Sequence, residues 1–424
     1  MTAAPMPIKR SLRGDMMNCP AMSLKNGTIR AILSEKSLVT RIPTLRLDEI
    51  REFMTNKLVA AKLVSGLIVA VSLSSFAGNL KTPGLLLSAA ALRGFPVAAT
   101  SADETMTPAL NPDIYHHVRQ VTWVVSDIDR IVGYWQQLGI KDIHRNGVVQ
   151  FPRLTYRGTP DPASAKQVTA NIGQMQINWV QPLRGGKFWR DELRERGDGI
   201  RVLSYDVRSS REFDDQIKYF ASRGVGVVVQ DSWRGPTGLG RMAYLDTAAH
   251  GGGTMLGLID DPDDRSRKGA AAGTANEYPL VEIKHFAWVV NDVRKVDAYY
   301  TSLGFKPLSS IDHNVSLDRI YRGQPGNYEM WLGWNRTGDA PFEWVQQITG
   351  ADVYVEYGKK HGEGFHHLGV MVTDMDQAIK VVTARGAAPS QAAAWNTKNG
   401  KGRAVYMDTE LYGGVTLELI YDPH

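Results

Sequence analysis

Cysteine is almost missing from this chain: Cys19 is the single one in 424 residues. One thiol forms no intramolecular disulfide and no thiolate metal cage, so any metal must be held by nitrogen and oxygen. Charge of one sign is lacking too. Lys and Arg number 49 against 44 Asp and Glu, a net charge of +5, and the basic residues are scattered rather than striped. Nothing in that distribution argues for nucleic acid. There is no Gly-rich phosphate loop, nucleophile elbow or Cys-based motif, which removes the common nucleotide, acyl-transfer and thiol chemistries. What is present is ordinary for a soluble globular protein, 43% hydrophobic and 22% charged, with length enough for two or three domains and an ample core.

From Tyr115 onward the chain repeats itself. Trp123-Val-Val-Ser-Asp127 returns as Trp288-Val-Val-Asn-Asp292, Tyr156-Arg-Gly158 as Tyr321-Arg-Gly323, Trp179-Val-Gln181 as Trp344-Val-Gln346, and Gly197-Asp-Gly199 as Gly362-Glu-Gly364, each pair 165 residues apart. Later pairs slip by a few residues: Tyr244-Leu-Asp-Thr247 returns as Tyr406-Met-Asp-Thr409, and Gly257-Leu-Ile259 as Glu418-Leu-Ile420. A constant offset over so many motifs predicts two homologous modules, 114–262 and 279–424, joined by a linker over 263–278 rich in Ala, Gly and Asp. A second, shorter period lies within the latter module. His285-Phe-Ala-Trp-Val-Val-Asn-Asp292 has the pattern of His367-Leu-Gly-Val-Met-Val-Thr-Asp374, and Gly304 and Gly386 each close the amphipathic stretch that follows. Two strand–helix units thus each present a histidine at the same place. The neighbouring His366 should face the other way, since successive strand residues alternate.

The coarse pattern in each module is strand, helix and several strands, done twice. In the second module, apolar or alternating runs predict strands at 284–291, 316–321, 328–334, 342–348, 403–407 and 415–421, with helices at 293–303 and 375–385. This is an α+β chain of four βαβββ units.

Paired βαβββ units with a histidine on the first strand of each half resemble the vicinal oxygen chelate superfamily, which includes glyoxalase I, methylmalonyl-CoA epimerase, extradiol dioxygenases and bleomycin-resistance proteins. The resemblance covers both modules and implies tandem modules folded as two cupped mixed sheets. It further implies metal ligands on the first and last strands of each unit. Carried over, the ligand set is His285, Glu343, His367 and Glu418, holding one divalent ion of zinc, nickel, cobalt, manganese or iron. Physical chemistry agrees: Glu343 and Glu418 sit in otherwise apolar strands, where an unpaired carboxylate costs several kcal/mol. The same positions in the first module are Gln120, Asn178, Val202 and Gly257, which make no strong metal site. That module reads as a structural or substrate-shaping partner, and His116 and His117 fall out of register, in the approach to its first strand.

Three functions follow from the resemblance. A glyoxalase-type isomerase, epimerase or lyase would use Glu418 or Glu343 as the catalytic base beside a chelated substrate oxygen. An extradiol-type Fe(II) dioxygenase would need two histidines and one carboxylate. A metal-free binding protein would fit the first module alone. The expected partner is a small molecule with vicinal oxygens, with no nucleic acid, and a homo-oligomer is compatible with it. Tyr328, Trp331 and Trp334 are candidate substrate-binding residues, able to stack on a ring or to fill the cup. Tyr321-Arg322-Gly323 occurs in both modules and reads as structural, while His313 and His361 read as surface loop residues.

The first 113 residues read differently. Residues 1–53 lack a sustained period and suggest an upstream extension of the frame. From Met54, two lysines (Lys57 and Lys62) precede the apolar run Leu63–Ala77, which ends on Ser75-Phe-Ala77, the layout of a secretory signal peptide. The run is shorter than the roughly 20 residues of a membrane span. A second apolar stretch, Leu85 to Ala99, offers Val97-Ala-Ala99 as another cleavage site. The alternative is an apolar tail or anchor on a cytoplasmic protein. Export to a bacterial periplasm predicts that native protein begins after Ala77 or Ala99 on N-terminal sequencing; an intact Met1 in a cytosolic fraction would contradict it.

Overall fold

The computed structural model describes residues 108–266 and 275–423, together with a short pairing of Leu24–Lys25 with Thr28–Ile29. The signal-like segment and Cys19 lie outside the described residues. The chain divides into two compact units, Met1–Ala98 and Ala99–His424, and the two large sheets belong to the second.

Each large sheet has ten strands, in the same spatial order. In the first, β1 (Gln120–Val124), α1 (Ile128–Leu138), β2 (His144–Phe151), β3 (Ala163–Ile172) and β4 (Met175–Arg184) make one unit, followed by α2 (Lys187–Arg196). The second unit is β5 (Gly199–Asp206), α3 (Ser210–Ser222), β6 (Val227–Arg234), β7 (Leu239–Leu245) and β8 (Met255–Asp260). The second sheet repeats this with β9 (Ile283–Val289), α4 (Val293–Ser302), β10 (Ser310–Asn314), β11 (Glu329–Asn335), β12 (Phe342–Thr349) and α5 (Val353–His361). It continues through β13 (Gly364–Met371), α6 (Met375–Ala384), β14 (Pro389–Thr397), β15 (Gly400–Met407) and β16 (Thr416–Tyr421). The central strands of the second sheet run β12-β9-β13-β16, and short hairpins at 155–160 and 317–325 end the two sheets. This is the expected α+β fold of two cupped mixed sheets.

The local causes are readable. Asp127, Asp292 and Asp374, each just past a strand, accept from backbone N–H groups two or three residues on and so cap α1, α4 and α6. Gly304 and Gly386, at φ 89° and 99°, turn the chain out of α4 and α6 where a side chain would be strained. The Tyr-Arg-Gly motif is a hairpin turn with its Arg and Gly both at positive φ. Arg157 reaches Asp246 at 2.7 Å in one sheet and Arg322 reaches Asp408 at 2.8 Å in the other, so the motif is structural.

Three elements of the second sheet escape the sequence pattern. β10 reads SIDHN and is largely solvated, and β14 is rich in Ala, a weak strand former, so neither shows apolar alternation. Helix α5 reads VYVEYGKKH, whose β-branched and aromatic start is strand-like. What makes it a helix is Asp352, which caps it through Val355 N–H. His361, expected in a surface loop, instead ends α5 with its side chain 8% exposed, set between Arg196 O and Glu410. His313 lies on β10, half-exposed and paired with Glu329.

The two halves clasp through indoles. Trp123 Nε1 donates to Gly413 O at 2.6 Å, and its repeat mate Trp288 donates to Thr254 Oγ1 at 2.7 Å, each crossing to the other sheet. Trp123 stacks on Trp179 and Trp288 on Trp344, in matching positions. Helix α1 follows the same rule: Tyr134 lies flat on Tyr412, with ring centroids 3.5 Å apart, and Trp135 donates to Tyr412 O. Replacing Trp123 by Phe keeps an aromatic body but orphans a buried carbonyl. It should lower unfolding stability by about 2–4 kcal/mol, read as an earlier urea midpoint. An unchanged midpoint would show that the clasp contributes nothing.

Candidate metal centre

Strand pairing brings the four expected ligands to the floor of one cup. His285 on β9 lies opposite Gly369 on β13, which in turn pairs with Glu418 on β16. On the other side of β9, Ala287 pairs with Glu343 on β12. His367 sits on β13 two residues before Gly369. All four side chains are buried, with His285 6%, Glu343 4%, His367 0% and Glu418 4% exposed.

Their polar atoms converge. His285 Nε2 and His367 Nε2 are 3.1 Å apart. Glu418 Oε2 is 2.8 Å from the first and 3.2 Å from the second, yet makes no well-directed hydrogen bond. Glu343 Oε2 is 3.6 and 3.3 Å from the same two nitrogens. Four lone-pair-bearing atoms aimed at a common centre are poorly served by one another, because two facing imidazole nitrogens share at most one proton between them. A divalent cation satisfies all of them together. His285, His367 and Glu418 form the compact set, and Glu343 completes it from across the floor. Nitrogen and carboxylate donors in this number suit a borderline divalent ion.

The charges are mutually dependent. Burial alone would raise the Glu418 carboxyl, but the imidazoles of His285 and His367 hold it well below the usual carboxylate range. Burial opposes the charged form of His367, and the Glu418 and Glu343 carboxylates outweigh it, lifting this imidazole to about 9. A metal entering the site therefore displaces a proton.

The cup above has a volume of about 640 Å³. Trp334, a sequence candidate, stands edge-on to His285, with ring centroids 5.5 Å apart. Tyr328 also lines the cup, but its hydroxyl is committed to Ala392 O at 2.6 Å, which makes it a wall. Trp331 is a correction. Trp331 and Trp334 share β11, with Tyr328 just before it, and the period of two turns residue 331 away from the cup; its ring packs on His313 and under the Arg294 guanidinium instead.

Four participants were not legible in the sequence. The expected alternation of His366 and His367 fails because β13 is bulged there: Ala287 pairs with His367 and Trp288 with Phe365, leaving His366 unpaired. His366 Nδ1 consequently lies 2.8 Å from His367 Nδ1, which engages that nitrogen and leaves Nε2 for the site. Burial, and then the His367 charge, push His366 well below the ordinary histidine range, so it is the neutral partner. Tyr354 on α5 and Tyr406 on β15 share a hydroxyl–hydroxyl bond of 2.7 Å and line the cup. Burial first, then the two glutamates, keep both phenols protonated. The repeat offset carries a usable signal for Tyr406, whose mate is Tyr244, but none for Tyr354, whose mate is Trp189.

Gly369 is the fourth. A Cβ there would come within 2.6–2.8 Å of three atoms of the His285 ring, so the glycine is what lets the imidazole lie down over β13. The corresponding residue of the first sheet is Ser204, which lies opposite Gln120. Gly369→Ala should swing His285 off the centre and weaken metal affinity by at least tenfold in a chelator competition, with the fold retained by circular dichroism. Affinity equal to the wild type would remove Gly369 from the account.

Residues 284–406 match the family model described as Glyoxalase/Bleomycin resistance protein/Dioxygenase superfamily. No curated protein matches the chain. Among solved structures, a triple mutant of 4-hydroxymandelate synthase from Streptomyces coelicolor is similar at 14% identity, over 72% of this chain and 92% of that one, with a TM-score of 0.48. A xylose isomerase-like TIM barrel/4-hydroxyphenylpyruvate dioxygenase fusion protein is similar at 13% identity, over 72% of this chain and 49% of that one, with a TM-score of 0.43. The match thus falls within the sheet that carries the four ligands, whose residues 284–406 are similar to the glyoxalase, bleomycin-resistance and dioxygenase superfamily, the vicinal oxygen chelate proteins.

Proposed function

We propose that the C-terminal cup is the active site of a metal-dependent isomerase, epimerase or lyase of the glyoxalase type, acting on a small molecule with vicinal oxygens. His285, His367 and Glu418 would hold one divalent ion, with Glu343 as a fourth, exchangeable ligand. Such an ion supplies Lewis acidity, polarising a substrate carbonyl and stabilising the negative charge that develops on its oxygen.

The observation that carries this reading is the second carboxylate. Glu343 stands on the far side of the compact three-residue set, its Oε2 within 3.3 and 3.6 Å of the imidazole nitrogens, at the edge of a roomy cup. A carboxylate so placed would serve as the base that takes a proton from a substrate carbon held in the cup, and geometry comes before pKa in choosing a base. Tyr354 donates to the Tyr406 hydroxyl, which leaves the Tyr406 phenol its own O–H to offer a developing oxyanion. Trp334 and Trp395 wall the cup, limiting water at the carbon that is exchanged.

A second reading has its own support. His285, His367 and Glu418 taken alone are two imidazoles and one carboxylate, the donor set of Fe(II) dioxygenases. The two readings part on oxygen. Under nitrogen in D₂O, the protein loaded with metal should exchange a C–H of an α-hydroxycarbonyl substrate for deuterium, and Glu343→Gln should slow turnover by about two orders of magnitude with the ion retained. Strict dependence on O₂ without exchange would hand the site to the dioxygenase reading. The ion itself should be lost in His367→Ala; full retention there would overturn the ligand assignment.

A further inference from the structure

The N-terminal cup, which has none of the metal ligands, carries an unmet demand of its own. Among the described residues, one cavity of about 310 Å³ is lined by a buried indole donor without a hydrogen-bond partner, Trp189 Nε1, and by three buried oxygens without one: Asn178 Oδ1, Ser204 Oγ and Asp231 Oδ1. Their residues are 7%, 1% and 6% exposed. Leaving such atoms unpaired is unfavourable, the more so for a charged carboxylate.

The kind of atom left over is informative. Gln120, at the ladder position of His285, donates its amide to Gln176 Oε1 at 2.6 Å, and Asn178, at the position of Glu343, turns its amide N–H toward Gln120 Oε1. The amides of the floor are thus turned on one another, and the carbonyl oxygen of Asn178 is left facing the cup. Asp231 adds a second acceptor, and burial pushes its carboxyl up, as for a carboxylate without a fixed counterion. Asp261 and Asp264 also line the cup, against Arg119, whose guanidinium is already held by Asp264 at 2.9 Å and Asp206 at 3.5 Å. The charged groups of the cup are mostly acidic, and its unpaired oxygens outnumber its unpaired indole donor, Trp189 Nε1.

Its walls are aromatic. Trp233 lies flat over Gly240, where a Cβ would collide with the indole, and Trp395 lies over Gly402 in the same way in the metal-bearing cup. Trp189 and Tyr244 stand at the positions of Tyr354 and Tyr406. Where the ligands of a metal have gone, the walls suited to an organic molecule have stayed. Tryptophan and tyrosine faces also favour a cation.

We propose that the N-terminal cup is a second, metal-free binding site for a small organic ammonium ion, its N–H groups taken by Asp231 Oδ1, Asn178 Oδ1 and Ser204 Oγ and its apolar body lying against Trp189, Trp233 and Tyr244. The site is separate from the metal centre and does not depend on the reaction assigned there. The test is calorimetric titration of the full-length protein with 2-phenylethylamine, 2-phenylethanol and phenylacetate as cationic, neutral and anionic probes of one shape. The amine should bind saturably, at least tenfold more tightly than the alcohol, with no binding of the acid. Asp231→Asn should weaken the amine at least tenfold, and His367→Ala should leave it unchanged. An alcohol that binds as well as the amine, no saturable binding, or loss of binding in His367→Ala would overturn the proposal. Should Asp231→Asn fail to fold, a wild-type crystal soaked in the amine decides: density for the amine beside Asp231 supports the site, and ordered water alone rejects it.

Discussion

Two carboxylates and two imidazoles stand within a few ångströms of one another on the floor of an apolar cup, and the C-terminal sheet is arranged around that fact. Removing such groups from water costs several kcal/mol per ion, a cost their mutual contacts offset only in part. The facing Nε2 atoms of His285 and His367 and the poorly satisfied Oε2 of Glu418 show what is left over. A divalent ion at their centre would turn an unfavourable cluster into a set of bonds. Parallel pairing of β9 with β12 and of β13 with β16 delivers one carboxylate to each histidine strand. The bulge at His366 and the bare α-carbon of Gly369 then make room for the two rings.

The N-terminal sheet has the same ladder without that constraint, and its residues at the four positions are Gln120, Asn178, Val202 and Gly257. Arg201 takes the bulge position of His366 and satisfies backbone carbonyls of the α2 end, with Glu192 at 3.1 Å. The two sheets are nevertheless joined by matched indole bonds from Trp123 and Trp288. The architecture has thus kept its packing rules in both halves while the floor of each cup has taken a different chemistry.

Much of this was legible in the chain because repetition is a strong signal. The shorter period within the second module paired His285 with His367, the family resemblance supplied Glu343 and Glu418, and the longer offset located the barren positions opposite them; the strand pairings place those residues in matching registers. The rest was hidden for physical reasons. Register irregularities have no mark in a single sequence, so strict alternation misjudged His366. Face assignment within β11 needed the exact pairing, and Trp331 was lost to it. Helix α5 opens with strand-like residues, and the contacts of Tyr354 with the cup depend on how that helix packs. Gly369 looked like any strand glycine until the ring above it was in place.

The central claim is a single divalent ion bound by these four residues and by no others. Anomalous diffraction from crystals of the cobalt-loaded full chain, collected at the cobalt edge, tests it most directly. The account predicts one peak per chain, among His285 Nε2, His367 Nε2 and Glu418 Oε2, with Glu343 beside it. A peak in the N-terminal cup, or none among these residues in protein that retains cobalt, would contradict it.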